Sequence, residues 1–71
     1  MKVLAEETRT TRARILVSAE ALFAERGFEV VSLREITGAA GANVAAVNYH
    51  FGSKEKLIDA VVTRHLVPVN E

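Results

Sequence analysis

The sequence predicts an all-α domain of short helices. Three observations carry that reading. Apolar residues recur at three- and four-residue spacing, capping residues stand ahead of the last three apolar runs, and glycine or proline closes every run. The length, 71 residues, allows one small domain, and chains of this size bury only ~60% of their unfolded surface.

The first helix is expected from Thr11 to Arg26. Ile15, Leu16, Ala19, Leu22 and Phe23 form its apolar stripe, and Arg14, Ser18, Glu20 and Glu25 are placed opposite. Gly27 stands where a helix end takes a left-handed residue, and Phe28 can then meet Phe23 in a Schellman ending. The second start is denser. Ser32 and Glu35 form an S-x-x-E capping box, and Val31 and Ile36 supply the hydrophobic staple. That helix should run from Leu33 to Ala40 and stop at Gly41. A third, capped by Asn43, runs from Val44 to His50. Gly52-Ser53 then breaks the chain and caps a fourth helix, about 54–67, with Glu55 in its first turn and Pro68 as its stop. Its stripe is Leu57, Ile58, Val61, Val62 and Leu66. Residues 1–10 read as a flexible arm and 68–71 as a loose end.

Composition narrows the function. Nine basic residues balance nine acidic ones, 49% of the chain is apolar, and there is no cysteine. Disorder and a disulfide scaffold are therefore disfavoured. The uncharged stretch Ile36 to Ser53 contains Gly38, Gly41, Asn43, Asn48, His50 and Gly52, so it is not a membrane span. The first residues, MKVLAEETRTTRAR, lack the apolar run of a secretory signal. Catalysis has little to work with. The histidines, His50 and His65, fall on different predicted helices, and there is no thiol nucleophile, phosphate loop or H-E-x-x-H pattern. No metal-ligand spacing is present, so neither an enzyme nor a cofactor is expected.

Net charge of zero gives no overall basic field. Its placement is more informative: no Asp or Glu occurs between Glu35 and Glu55. That acid-free segment is a short helix, a glycine turn and a second short helix, residues 33–51. A helix-turn-helix presents its second helix to the major groove of DNA. Ile36, Ala40 and Val47 can lock the crossing, Thr37 is small enough for close approach, and Gly41 suits the turn. With Val47 and Phe51 inward and Val44 flanking, Ala45, Ala46, Asn48 and Tyr49 point outward. Asn48 can then pair with adenine and alanine methyls with thymine. Tyr49 and His50 can donate to phosphates. Ser53, Lys54 and the amides of the next helix can hold another. Arg34 can reach a guanine or a phosphate.

Alternatives stay open at this level. Arg34 and Glu35 can be a surface pair, Tyr49 can lie half-buried against the fourth helix, and His50 can cap or pack. Asn43 can be a cap alone. Arg9, Arg12 and Arg14 read as solvated helix-start residues or as a minor-groove arm. A protein-interaction module using the apolar face of the fourth helix is the competing function.

The run SLREITGAAGANVAAVNYHFGSKEKL resembles the N-terminal DNA-binding domain of the tetracycline-repressor (TetR) family of bacterial transcriptional regulators. The preceding ILVSAEALFAERGFE is similar to that family's first helix, so the likeness covers roughly Arg12 to Leu66. It implies a three-helix, homeodomain-like helix-turn-helix plus the start of a fourth helix, a cytoplasmic, nucleoid-associated protein, and repression from a near-palindromic operator. By motif position it implies base reading at Arg34, Asn43, Val44, Ala46 and Asn48, and phosphate contact at Ser32, Tyr49, His50 and Lys54. The sequence departs from the family pattern at Thr37, Ala42, Ala45 and Asn48, where Ala, an aliphatic residue, Gly and an aromatic ring are frequent. The ligand-binding and dimerisation domain that the resemblance implies has no room in 71 residues. A lone chain is therefore expected to contact one half-site, weakly and in a salt-sensitive way. Leu57, Val61, Leu66, Val67 and Val69 are expected to be exposed where that domain would cover them.

Overall fold

The structure, a computed structural model, describes residues 10–66, with nothing described for the side chains of His65 and Leu66. The expected arm up to Arg9 and the expected stop at Pro68 lie outside the described residues, as do Val67 and Val69. Four helices follow in order: α1 (Thr11–Arg26), α2 (Leu33–Ala40), α3 (Val44–His50) and α4 (Lys54–Leu66). No described residue is in a strand, and no helix among them is long and apolar enough to cross a membrane.

Each start follows from a side chain that satisfies a free backbone amide. Asn43 Oδ1 accepts from the Ala46 N–H at 3.0 Å, and Ser53 Oγ accepts from the Lys56 N–H at 3.1 Å. Ser32 and Glu35 close the capping box: Ser32 Oγ accepts from the Glu35 N–H at 3.1 Å, and Glu35 Oε1 from the Ser32 N–H at 2.9 Å. Thr10 caps α1 by accepting from the Ala13 N–H at 3.0 Å. It therefore belongs to the folded domain, not to a flexible arm.

The core joins all four helices. Ile15, Leu16, Ala19 and Phe23 of α1 meet Val31, then Ile36 and Ala40 of α2, Val47 of α3, and Leu57 and Val61 of α4. Helix α1 is the hub, touching each of the others and α2 most extensively. The staple residues Val31 and Ile36 are both fully buried. Two polar residues placed on the outer face of α1 instead tie it to its neighbours. Arg14 Nε donates to the Ala40 carbonyl at 3.0 Å, and Glu20 Oε2 pairs with Arg64 Nε at 2.6 Å. A helix contacted on several sides has little purely solvent-facing surface left.

The two glycine endings differ from each other. Gly41, at φ +69° and ψ +36°, is left-handed, and the Ala42 N–H reaches the Thr37 carbonyl at 2.8 Å. That is the Schellman closure. Gly27 also has positive φ, +90°, but its ψ of 165° sends the chain onward extended. The Schellman ending expected at α1 is thus found at α2, because the chain must leave α1 straight to return Val31 to the core. Phe28 still meets Phe23 edge-on, with centroids 5.0 Å apart.

The apolar stripe of α4 lies inside this core. Leu57 is completely buried and Val61 nearly so, while Ile58 packs against the cluster. The expectation that Leu57 and Val61 are exposed is corrected: α1 covers them. The interaction-module reading loses its main feature with it.

Candidate nucleic-acid interface

The segment from Ser32 to Lys54 builds the site. Thr37, 3% exposed, sits at the crossing of α2. Its hydroxyl donates to the Leu33 carbonyl at 3.0 Å, so the departure from alanine buries no unsatisfied polar atom. Gly41 turns the chain with a backbone geometry that costs an L-residue about 1–2 kcal/mol. Val47 is the one fully buried residue of α3, and its partner one turn on, Phe51, is half-buried.

The structure brings three of the expected base-reading residues together. Arg34, Asn43 and Val44 line one open groove of about 430 Å³ with Thr37, Gly38 and Ala42. Arg34 is exposed and is not paired with Glu35. The Glu35 carboxylate is held by Arg26 at 2.9 Å and by the Ser32 N–H, and it does not line the groove. The acceptance of that backbone N–H, then the Arg26 guanidinium, holds the Glu35 carboxyl below the ordinary glutamate range. Asn43 keeps its oxygen on the Ala46 amide, so its cap duty is fixed, and its amide nitrogen and the second lone pair of that oxygen are left for a ligand.

Asn48 and Tyr49 lie on the free face of α3. Both are exposed, Tyr49 at 85%. The alternative that places Tyr49 half-buried against α4 is excluded by that figure. Ala45 is exposed, but Ala46 is partly buried and packs against the core, which corrects its expected outward position. One helical turn has room for only so wide a free face, and Val47 with its flanks takes the rest.

His50 is on another side. Its ring stands edge-on to Tyr49 at 4.9 Å, and it lines a second hollow of about 440 Å³ with Arg12, Phe51, Lys56 and Asp59. Lys54 is half-buried at the start of α4, beside the Ser53 cap. Ser32 is exposed, but its hydroxyl is engaged in the capping box within 3.4 Å of the Glu35 carboxylate.

Two residues escaped their expected roles. Arg12 lies over the Phe51 ring, 4.8 Å from its centroid, and Arg14 holds the end of α2. The signal was present in sequence: α2 has no basic residue in its last turn, so its negative end awaits a cation from elsewhere.

Comparison with known proteins follows the same segment. The profile of bacterial regulatory proteins of the tetR family matches residues 15–61. The HTH-type transcriptional repressor KstR2 of Mycobacterium tuberculosis is 34% identical over 62 residues, which cover 87% of this chain and 31% of that protein. The transposon Tn10 TetC protein of Escherichia coli is 32% identical over 65 residues, 92% of this chain and 33% of that protein. The HTH-type transcriptional regulator UidR of Escherichia coli K12 is 38% identical over 56 residues, 79% of this chain and 29% of that protein. The chain spans about a third of the length of the curated relatives it matches.

Proposed function

The chain belongs to the tetR family of bacterial regulatory proteins, and from that membership we propose that it binds double-stranded DNA for a transcriptional repressor, with α3 in the major groove of one operator half-site. One observation carries the reading furthest. Asn48 and an 85% exposed Tyr49 stand on the free face of a helix anchored from behind by Val47. A large aromatic side chain left that open, beside an amide and with no acid between Glu35 and Glu55, suits a polyanion with readable base edges.

Roles follow from placement. Arg34, Asn43 and Val44 meet base edges from the groove they share, and Asn48 reads a base farther along. Tyr49 and Lys54 donate to phosphates on either side. His50 reaches the backbone only beyond Tyr49, at the edge of the second hollow. Ser32 and Ala46 serve first as cap and core contact, and their DNA contacts are the weakest members of the set. In the whole protein a further domain would dimerise the chain, so that two copies of α3 address a near-palindromic site on bacterial DNA in the cytoplasm.

The test is fluorescence anisotropy on the 71-residue chain. The probes are duplexes selected from a random pool and mixed-sequence duplexes of the same length. The expected affinity for a lone half-site reader lies in the ~10⁻⁴–10⁻⁶ M range and falls steeply with salt. Tyr49→Ala and Lys54→Ala should each weaken binding to every duplex, and Arg34→Ala should cost about 1–3 kcal/mol at one base pair if that residue reads guanine. Absence of binding at low salt overturns the proposal. Nanomolar binding by the monomer overturns its half-site part.

A further inference from the structure

We propose that Arg12 and Arg14 are positioning residues for DNA reading, which brace α3 from both ends and so set sequence discrimination without touching DNA. This rests on the DNA-binding reading above and adds to it where that helix gets its orientation.

Both arginines stand in the first turn of α1, and each meets the helix-turn-helix next to one end of α3. Ala40 is the last residue of α2, immediately before the glycine turn. Its carbonyl is one of the acceptors a helix end leaves free. The Gly41 and Ala42 amides close on Gly38 and Thr37, and Arg14 Nε takes Ala40 at 3.0 Å. The Arg14 guanidinium also reaches Thr11 Oγ1 at 3.4 Å, which fixes its approach. Phe51 is the residue directly after α3. The Arg12 guanidinium lies 4.8 Å above its ring, inside the range of a cation–π contact. Each cation therefore also sits at the negative end of one of the two helices.

Such bracing matters because α3 has little else. It is seven residues long and contributes one fully buried side chain. A rod held through Val47 and the Ala46 beside it can still pivot, and contacts beyond its two ends limit that motion. Pivoting would leave the Lys54 phosphate contact largely available, since that flexible side chain stands on α4 and not on the moving helix. Base reading has less tolerance, because bidentate pairs need fixed geometry. Loss of the brace is therefore read as loss of discrimination.

The experiment compares the 71-residue chain with Arg14→Gln, Arg14→Lys and Arg12→Met. Affinity is measured by anisotropy at several salt concentrations. One duplex is recovered by the unaltered chain from a random pool, and the other is a mixed-sequence duplex of equal length. Circular dichroism reports folding. Arg14→Gln is expected to lower the ratio of the two affinities about tenfold, the size of one lost base contact, with the salt slope unchanged. Arg12→Met should act in the same direction with a smaller effect, and Arg14→Lys, which keeps a donor and the charge, should restore most of the ratio. Should Arg14→Gln be unfolded, Arg12→Met carries the same measurement. A salt slope reduced by about 0.9, with equal losses on both duplexes, would mean a direct phosphate contact and overturns the inference. A lowered melting temperature with an unchanged ratio overturns it as well. If the unaltered chain binds neither duplex, the DNA reading itself falls and takes this inference with it.

Discussion

Helix α1 and helix α3 are held in opposite ways. Over sixteen residues α1 buries Ile15, Leu16, Ala19 and Phe23 and touches every other helix. Over seven residues α3 buries only Val47. Isolated helices shorter than about 12–15 residues are marginal in water, so α3 exists because of what is attached to it. Its attachments are terminal: the Asn43 cap and the Gly41 turn on one side, and the half-buried Phe51 under Arg12 on the other. The contrast teaches how a small domain presents a wide free surface without losing its shape. Burial is concentrated in the helix that does not meet the ligand, and the presenting helix is fixed by its ends.

The most severe way to break the comparison is to remove the core that both helices share. Ile36 of α2 is fully buried in the core cluster to which α1, α3 and α4 also contribute. Ile36→Ala should cost about 2–5 kcal/mol. At about 0.05–0.15 kcal/mol per residue, a domain of this length holds only about 4–11 kcal/mol, so roughly half of its stability would go. Urea melts followed by circular dichroism and by amide signals of α1 and α3 should then shift together. Separate transitions for the two helices would mean that they are not one cooperative unit.

Asn43→Ala should separate them instead. Loss of an N-cap costs about 0.5–2 kcal/mol, and here the cap belongs to the weakly buried helix. Amides from Val44 to Gly52 should exchange about 2- to 30-fold faster, tenfold being about 1.4 kcal/mol. Those of Ile15 to Phe23 should change much less. An equal change in both sets would show that α3 opens only with the whole domain, and the contrast drawn above would fail.

The same contrast explains what was legible in the sequence. All four helices were, because each has a capping residue or an apolar stripe that announces it within a few positions. The capping box at Ser32 and Glu35, the left-handed Gly41 and the inward Val47 are local facts of that kind. The shared groove of Arg34, Asn43 and Val44 is not, since Arg34 stands at the start of α2 and only the crossing of α2 with α3 brings it beside the other two. What escaped was long-range. The contact of Arg14 with Ala40 spans 26 positions, and that of Arg12 with Phe51 joins the first helix to the end of the third. Spacing along a helix gives the face a residue occupies but not which neighbour fills it. The misplacement of Glu20 on a solvated face has the same origin, because its partner Arg64 lies on α4. The outward position expected for Ala46 corresponds to one narrow buried line on α3, whereas the core also takes its flank.

Gly38 offers a change in the opposite direction. It lies inside α2 and lines the groove beside Arg34, and a methyl group added there would meet nothing within 4 Å. Its backbone is helical, so no strain argues for glycine. Gly38→Ala should stabilise the domain by about 0.5–1 kcal/mol, which for a domain of this size is about 2–8 °C in Tm. If DNA comes close at this point of the groove, the same variant should bind the selected duplex less tightly while melting higher. A gain in both would place the nucleic acid farther from α2.

The smallest expected effect concerns the end of α1 remote from α3. Arg26 and Glu35 join α1 to α2 through an exposed pair, while Glu35 also completes the capping box. Glu35→Gln keeps an oxygen for the Ser32 N–H and removes the charge that faces Arg26. The folded Glu35 carboxyl titrates below its ordinary value, because it accepts the Ser32 N–H and lies beside Arg26. A depressed folded pKa contributes stability that is present above the unfolded value and is lost as pH falls through the folded one. The unaltered chain should therefore melt slightly higher than Glu35→Gln at neutral pH, and the gap should close as pH drops below the glutamate range. Salt should narrow it as well, since the pair is open to solvent. A gap that stays constant from about pH 7 to about pH 3 would remove the charge from the explanation. The exchange of α3 amides should not follow this titration, because Glu35 braces the entry of α2 and neither end of α3. If it did, the two regions would be coupled through α2 more tightly than their separate anchoring allows.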